Sequence, residues 1–256
     1  MRIAVVSDIH GNWTALQAVI ADLEVVGVDL VVPGGDLVAS GSRPADVIDL
    51  IRHLGWPGVI GNTDEMLWAP ERLAELATKD PQRQSLREVL FNEIAPWTRA
   101  SIGDDRLQWL RSLPTQWRRD EMAVLHASPD DLWSAPLPDA PDDELESTYR
   151  GLGVPLVVYG HIHRPYVRTL PHLVLANSGS VSLSYDEDPR AAYVLINDGT
   201  PAIRRVEYDV EEEIEGLAER HYPYHEWLAA ILGSGKYVPP SLEVPPACTP
   251  GGKRTL

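Results

Sequence analysis

The sequence of 256 residues is poor in cysteine and has no long apolar run. A single thiol, Cys248, cannot form a disulfide within the chain, and its isolation is typical of a reducing compartment. No apolar stretch approaches the roughly 18 residues that cross a bilayer. The short apolar segment at the N-terminus ends at Asp8 and lacks the cleavage site of a signal peptide. We therefore expect a cytoplasmic protein with no membrane partner.

Basic residues are also scarce. Lys and Arg number 22 against 38 Asp and Glu, which gives a formal net charge of −16. Binding to a long nucleic acid requires a basic surface that replaces counterions, so we expect no such partner. A small anionic substrate is not excluded, because bound divalent ions can reverse the local electric field.

The first 60 residues alternate between short apolar runs and apolar residues at helical spacing. Strands are predicted at 3–7, 30–32 and 58–60. The helices between them are bounded by Asn12 and Gly27, and by Pro44 and Gly55. This β-α-β-α-β alternation predicts an α/β fold with parallel pairing and right-handed crossovers.

The pattern changes after residue 65. Residues from about 66 to 120 predict a mostly helical insertion, and later segments predict further elements. These are strands at 122–125 and 156–159, a helix near 143–151, antiparallel hairpins beyond 165 and a helix starting at 211–213. We expect one domain over residues 1–236, followed by a Pro- and Gly-containing tail over 237–256.

Seven residues of metal-binding type stand where predicted strands end. They are Asp8, His10, Asp36, Asn62, His126, His161 and His163. Functional groups collect beyond the carboxyl ends of strands in such sheets, so we expect these side chains to meet. Asp, Asn and neutral His together suit ions such as Mn²⁺, Fe²⁺ or Zn²⁺. Seven ligands exceed one ordinary site but suffice for two ions that share a carboxylate, an arrangement used for displacement at phosphorus.

The motifs D-x-H, G-D, G-N-x-D, a lone strand-end His and G-H-x-H follow one another in this order between residue 1 and about residue 208. Together they resemble the calcineurin-like metallophosphoesterase superfamily, and more closely its small bacterial and archaeal phosphodiesterase-type members. The resemblance implies a four-layer α-β-β-α sandwich with mixed sheets. It also implies that the hairpins after residue 165 form much of the second sheet.

The resemblance further implies the division of the ligands. Asp8, His10 and His163 would bind one ion, Asn62, His126 and His161 would bind the other, and Asp36 would bridge. The implied cofactors are two divalent ions, with Mn²⁺ favoured and Fe, Zn, Ni and Co left open. The implied reaction is hydrolysis of a small phosphoester, through attack on phosphorus by a hydroxide that bridges the ions.

Two positions depart from the superfamily pattern. Thr63 stands where the superfamily often has a histidine that protonates the leaving group, so the catalytic candidate Asp64 lacks its usual partner. The N-P-G-S motif lacks its proline and is replaced by residues 177–180, N-S-G-S. Asn12 is a candidate for substrate binding, with a helix cap as the alternative. Since threonine is a poor general acid, we expect a preference for acidic leaving groups.

Two other functions stay open on the sequence. A non-catalytic scaffold with this fold should lose metal ligands, whereas this chain retains all seven. Protein phosphatases of the superfamily resemble G-D-x-V-D-R-G and G-N-H-E, whereas this chain reads G-D-L-V-A-S-G and G-N-T-D. Cyclic nucleotides, nucleotide diesters and phosphomonoesters all remain candidate substrates. The oligomeric state is open, and a symmetric homodimer is the commonest oligomer.

Overall fold

Two mixed sheets form the centre of the molecule. The computed structural model describes residues 1–79 and 81–240, so Cys248 and the predicted tail from residue 241 onward lie outside the described residues. The strands are β1 (Arg2–Val6), β2 (Leu30–Pro33), β3 (Gln116–Arg119), β4 (Met122–Leu125), β5 (Leu156–Tyr159), β6 (Tyr166–Thr169), β7 (Val174–Asn177), β8 (Ala191–Asn197) and β9 (Thr200–Val206). One sheet has the order β2-β1-β8-β9 and the other β3-β4-β5-β7-β6. Parallel pairs are β1–β2, β4–β5 and β5–β7.

Helices cover the outer faces of the sheets. Those in the described residues are α1 (Trp13–Val26), α2 (Pro44–Leu54), α3 (Asn62–Glu65), α4 (Arg72–Lys79), α5 (Gln84–Val89), α6 (Ala95–Ser112), α7 (Asp142–Tyr149), α8 (Val210–Glu219) and α9 (His225–Ser234). A π-helical turn (Leu90–Ile94) joins α5 to α6, and short 3₁₀ turns occupy Pro81–Arg83 and Arg150–Leu152. None of the helices within the described ranges combines the length and the apolar character needed to span a membrane.

The ends of the first two helices follow the chemistry of their flanking residues. The Asn12 side chain accepts a hydrogen bond from Ala15 N at the start of α1, and Gly27 ends that helix in the left-handed conformation, with φ of 70°. Pro44 begins α2, and Gly55 ends it with φ of 64°. These four predicted boundaries are confirmed.

Successive side chains along a strand point to opposite faces of its sheet and so belong to different layers. On β1, Val5 lies in the apolar cluster between the sheets with Val124 and Val158, whereas Ala4 belongs to the cluster on the helical side. Tyr149 of α7 is buried in a third cluster, against the outer face of the five-stranded sheet. Helix, sheet, sheet and helix therefore stack in four layers, and the predicted fold class is confirmed.

Two details of the predicted elements are wrong, the strand at 58–60 and the placement of the later hairpins in one sheet. Residues 58–60 form no strand. Val59 makes one isolated parallel bridge to Gly34, because the segment is confined between Pro57, which has no N–H, and helix α3, which begins at Asn62. The segment predicted as a mostly helical insertion contains helices α4 to α6 and ends in the short strand β3. The hairpins after residue 165 do not share one sheet, since β6 and β7 join the five-stranded sheet and β8 and β9 join the other.

Candidate metal centre

The loops after β1, β2 and β5 bring one group of candidate ligands together. His163 Nε2 lies 3.0 Å from Asp8 Oδ1 and 3.3 Å from His10 Nε2. His10 Nε2 in turn lies 3.8 Å from Asp36 Oδ2. One atom from each of these four buried residues lies within 4.8 Å of all the others. The group matches the first ion site implied by the sequence motifs.

A second group of candidate ligands lies on the other side of Asp36. Asn62 Oδ1 is 2.8 Å from His126 Nε2 and 2.8 Å from His161 Nδ1. His126 Nε2 is 3.4 Å from Asp36 Oδ1. The two carboxylate oxygens of Asp36 therefore face different groups, which is the arrangement a bridging ligand requires.

The donor atoms fit divalent ions by their spacing and chemistry. Ligand atoms at about 2.0–2.1 Å from an ion lie about 2.8–3.0 Å from their neighbours in octahedral geometry and about 3.3–3.4 Å in tetrahedral geometry. The close contacts in the two groups run from 2.8 Å between Asn62 Oδ1 and His126 Nε2 to 3.9 Å between Asp8 Oδ1 and His10 Nε2, and all ligand atoms of the first group lie within 4.8 Å of one another. All seven candidates thus lie where the sequence placed them, while their binding of metal stays a prediction.

Backbone carbonyls fix the tautomers of three histidines. The Nδ1–carbonyl distances are 3.1 Å from His10 to Ala39, 3.0 Å from His126 to Gly34 and 2.5 Å from His163 to Leu183. A carbonyl oxygen can only accept, so Nδ1 carries the proton and the lone pair of Nε2 points into the site. Such outer hydrogen bonds are how proteins orient imidazole ligands for a metal.

Burial and charge adjust the protonation of the site. Burial lowers the pKa of His10 to about 4 and that of His161 to about 3, so both rings are neutral near pH 7, as metal ligation requires. Burial alone would raise the pKa of Asp8, but the interactions with the surrounding histidines, His163 first among them, outweigh it and hold that pKa below its usual range. Ser7 donates its hydroxyl to Asp8, which further favours the carboxylate.

Five of the seven candidates have a left-handed backbone. The φ angles are 55° at Asp8, 53° at His10, 51° at Asp36, 68° at His161 and 55° at His163. This conformation costs a non-glycine residue on the order of 1–3 kcal/mol and gathers at functional sites. Hydrogen bonds between the loops hold it in place, including Asp8 N to Gly35 O at 3.0 Å and His10 N to Asp36 O at 2.9 Å.

Two glycines allow the loops to approach. A Cβ on Gly61 would lie 2.1 Å from Asp36 Oδ1, and a Cβ on Gly160 would lie 2.4 Å from Asp8 Oδ2. Any larger residue would therefore displace a candidate ligand. The glycines in G-N-T-D and G-H-I-H are needed for this contact.

Asp64, the catalytic candidate, is fully buried behind the Asp36 side of the site. Its carboxylate accepts hydrogen bonds from the backbone N–H groups of Leu37, Val38 and Gly61, at 3.0–3.2 Å. Burial, together with the negative charge of Asp36, raises the pKa of Asp64 to about 7. Its direct role in catalysis stays a prediction, but the contacts are those of a residue that positions the loop after β2.

Asn12, the substrate-binding candidate, is a helix cap. Its Oδ1 accepts from Ala15 N at 2.9 Å and its Nδ2 donates to Ser182 Oγ at 3.1 Å, inside a fully buried environment. The cap alternative is confirmed. Both polar atoms of the side chain are bonded within the protein, so the geometry adds no support for contact with phosphate.

Two further residues support the site, of which Tyr185 was missed in the sequence. Tyr185 stacks on the His163 ring, with centroids 4.5 Å apart and planes at 16°. Asn177 donates to Gly160 O at 2.6 Å and accepts from Gly179 N at 2.9 Å. The N-S-G-S motif pointed to Asn177, whereas Tyr185 lies in a loop with no local signal. His161 is only partly buried, so the site reaches solvent on its side.

Comparison with known proteins adds evidence independent of this geometry. The family model described as the calcineurin-like phosphoesterase superfamily domain matches residues 1–199. An uncharacterized protein of Methanocaldococcus jannaschii is 29% identical over 261 residues, which cover 91% of this chain and 98% of that protein.

Two solved structures resemble the whole molecule. A metallophosphoesterase from Sphaerobacter thermophilus superposes with a TM-score of 0.74 at 26% identity, covering 92% of this chain and all of that one. A hypothetical protein from Pyrococcus horikoshii OT3 has a TM-score of 0.76 at 20% identity, covering 93% of this chain and 99% of that one, and shows likeness of fold alone.

Proposed function

The chain belongs to the calcineurin-like phosphoesterase superfamily, and on that premise we propose that it is a dinuclear metal-dependent phosphodiesterase acting on small phosphoesters. The observation that carries the proposal is the placement of Asp36. Its Oδ1 lies 3.4 Å from His126 Nε2 and its Oδ2 lies 3.8 Å from His10 Nε2, so one carboxylate faces both donor groups.

The residues divide the work as follows. Asp8, His10 and His163 would hold one ion, and Asn62, His126 and His161 the other, with Asp36 shared. When bound, a pair of divalent ions supplies a hydroxide nucleophile near neutral pH and neutralises charge on the phosphoryl oxygens. The chain contributes fixed tautomers and a rigid, largely buried set of ligands. The substrate would enter on the partly exposed side at His161.

Mn²⁺ is the proposed metal. The ligand set mixes carboxylate and amide oxygens with imidazole nitrogens, which suits Mn²⁺ and also admits Fe, Zn, Ni or Co. The lone cysteine lies outside both donor groups in the sequence, so no soft ligand favours copper. The protein is also proposed to act in the cytoplasm.

The leaving group is proposed to be acidic. The Thr63 side chain is 5% exposed, and its Oγ1 lies 3.5 Å from Val38 O, so it offers the substrate no titratable proton. The Asp64 carboxylate accepts hydrogen bonds from backbone N–H groups of Leu37 and Gly61 and is not directed at the leaving group in this proposal. Without general-acid assistance, which typically contributes about 10²–10⁴-fold, aryl phosphates and activated diesters should react much faster than alkyl esters.

A hydrolysis assay with a matched pair of variants tests the proposal. Purified protein loaded with Mn²⁺ should hydrolyse bis-nitrophenyl phosphate, and a chelator should abolish the reaction. His126→Gln should lose activity, whereas His53→Gln, a change at an exposed histidine near the end of α2, should keep it. Equal activity in both variants, or activity that survives chelation, would contradict the proposal.

The absence of histidine at position 63 is the observation that favours a non-catalytic scaffold. That alternative predicts Mn²⁺ binding without hydrolysis of any ester in a panel of diesters, monoesters and nucleotides. Release of phosphate from phosphopeptides but not from the panel would indicate a protein phosphatase instead.

A further inference from the structure

The loop after Asp36 is held by buried side chains from other parts of the fold. This segment, residues 37–43, is called the Asp36 loop. Leu37 N and Val38 N donate to Asp64, Ser40 N donates to Tyr222 OH at 2.5 Å, and Ser42 N donates to Glu213 Oε1 at 2.7 Å. Because all the acceptors are buried, the loop is fixed by specific partners and not by solvent.

Two residues of the Asp36 loop carry unfavourable backbone angles. Ala39 has φ of 68° and Ser40 has φ of 73°, a region that L-residues rarely occupy. Such conformations persist only where the surroundings determine them. The hydrogen bonds to the Asp36 loop therefore stabilise this backbone conformation relative to conformations with less strained φ angles.

The peptide group between Ala39 and Ser40 joins Tyr222 to His10. Its carbonyl, on Ala39, lies 3.1 Å from His10 Nδ1, and its N–H, on Ser40, donates to the Tyr222 hydroxyl. A peptide group is planar, so fixing the direction of the N–H also fixes the direction of the carbonyl. If this peptide turned over, its N–H would face the protonated Nδ1 of His10.

We propose that Tyr222 is a positioning residue for His10, acting through the Ala39–Ser40 peptide to keep the imidazole protonated at Nδ1 and its Nε2 directed at the metal site. The inference rests on the proposed metal-dependent function. Tyr222 lies between α8 and α9, beyond the residues matched by the family model. The C-terminal helices would thereby support the site although they lie beyond the residues that the family model matches.

The surroundings of Tyr222 hold its hydroxyl in place. The residue is 1% exposed, and its ring packs against Trp97 of α6 with centroids 4.3 Å apart. Removing the hydroxyl leaves Ser40 N–H buried without its acceptor and frees the peptide to turn. The packing of the ring itself would remain, so phenylalanine is the appropriate substitution.

The test compares Tyr222→Phe with Tyr193→Phe. Tyr193 is also a buried tyrosine whose hydroxyl makes a hydrogen bond, in this case to Asp22 Oδ2 of α1 at 2.6 Å. Mn²⁺ binding to the metal-free proteins is measured by calorimetry, with no substrate present. Loss of outer-shell support lowers metal affinity by about 10–100-fold, so Tyr222→Phe should bind Mn²⁺ at least about 10-fold more weakly and Tyr193→Phe should match the wild type.

A second measurement includes a test on the wild type alone, which does not depend on the variant folding. Nitrogen-15 spectra of the metal-free wild type should show His10 protonated at Nδ1, and folded Tyr222→Phe should show a mixture of the two tautomers. Protonation of wild-type His10 at Nε2 would overturn the inference, and so would equal Mn²⁺ affinity in the two variants. Failure of the wild type to hydrolyse phosphoesters would overturn only the proposed function, because neither measurement uses activity.

Discussion

Replacing Gly61 by alanine should damage the proposed metal centre by displacing Asp36. The backbone at Gly61 has φ of −109° and ψ of 176°, which any residue can adopt, so the substitution introduces no backbone strain. The new Cβ would instead lie 2.1 Å from Asp36 N and 2.1 Å from Asp36 Oδ1. Ordinary carbon contacts are about 3.5–4.0 Å, so Asp36 or the Gly61 backbone must move by more than about 1 Å.

The size of the effect follows from that displacement. Overpacking a buried site typically costs about 1–3 kcal/mol, which corresponds to a fall in Tm of roughly 2–12 °C for a chain of this length. Displacement of a reacting group by about 1 Å can reduce the rate by about 10²-fold. Because Asp36 faces both donor groups, the affinities of both Mn²⁺ sites should fall.

The assay combines thermal unfolding with Mn²⁺ titration. The matched control is Gly151→Ala, since a Cβ at Gly151 would meet nothing within 4 Å. The control should keep the Tm, the metal affinity and the activity of the wild type. If Gly61→Ala behaved in the same way as the control, the placement of Asp36 against Gly61 would be refuted.

Three further predictions concern proton chemistry at the site. Thr63→His should raise turnover mainly on esters with poor leaving groups. The ratio of variant to wild-type turnover should be larger for alkyl esters than for nitrophenyl esters, and an equal ratio would contradict the prediction. Asp64→Asn should lower the Tm, because three backbone N–H groups lose a carboxylate acceptor. The pH dependence of the rate should keep its shape. If the variant lost a change of rate near pH 7, Asp64 would be shown to transfer the reacting proton. Burial alone would lower the pKa of His126, but the charges of Asp36 and Asp8 more than reverse this and raise it. Protons therefore compete with Mn²⁺ for His126, and the Mn²⁺ affinity should fall as the pH drops from 8 to 6. His10, with a pKa of about 4, adds competition only in more acidic solution. A Mn²⁺ affinity that is constant over that range would contradict this assignment.

Local chemistry explains why parts of the fold could be predicted from the sequence. The limits of α1 and α2 depend on Asn12, Gly27, Pro44 and Gly55, whose effects act within a few residues. The candidate ligands could be found because each follows a short apolar run at the same end of the sheets. These features need no knowledge of distant contacts.

Sheet membership could not be predicted in the same way. The strands β7 and β8 are largely buried on both faces, so alternation of apolar residues does not show which neighbour each one pairs with. The segment around Val59 is apolar like a strand, yet it makes only one bridge. Pairing depends on long-range contacts that short sequence windows do not contain.

The supporting contacts of the site were also beyond the sequence. Glu211 to Glu213 lie in the first turn of α8. Only the third of these is buried, where it accepts a hydrogen bond from Ser42 N. Tyr222 reaches Ser40 across 182 residues of chain. Nothing in the local pattern distinguishes these residues from an ordinary helix start or an ordinary core tyrosine.

The proposed position of Asp36 between two ions can be tested by electron paramagnetic resonance of the protein titrated with Mn²⁺, because two Mn²⁺ ions that share a carboxylate interact magnetically. We expect two Mn²⁺ per chain with the spectrum of a coupled pair, and loss of the coupling in Asp36→Asn. A spectrum of isolated Mn²⁺, with one ion or none per chain, would contradict it.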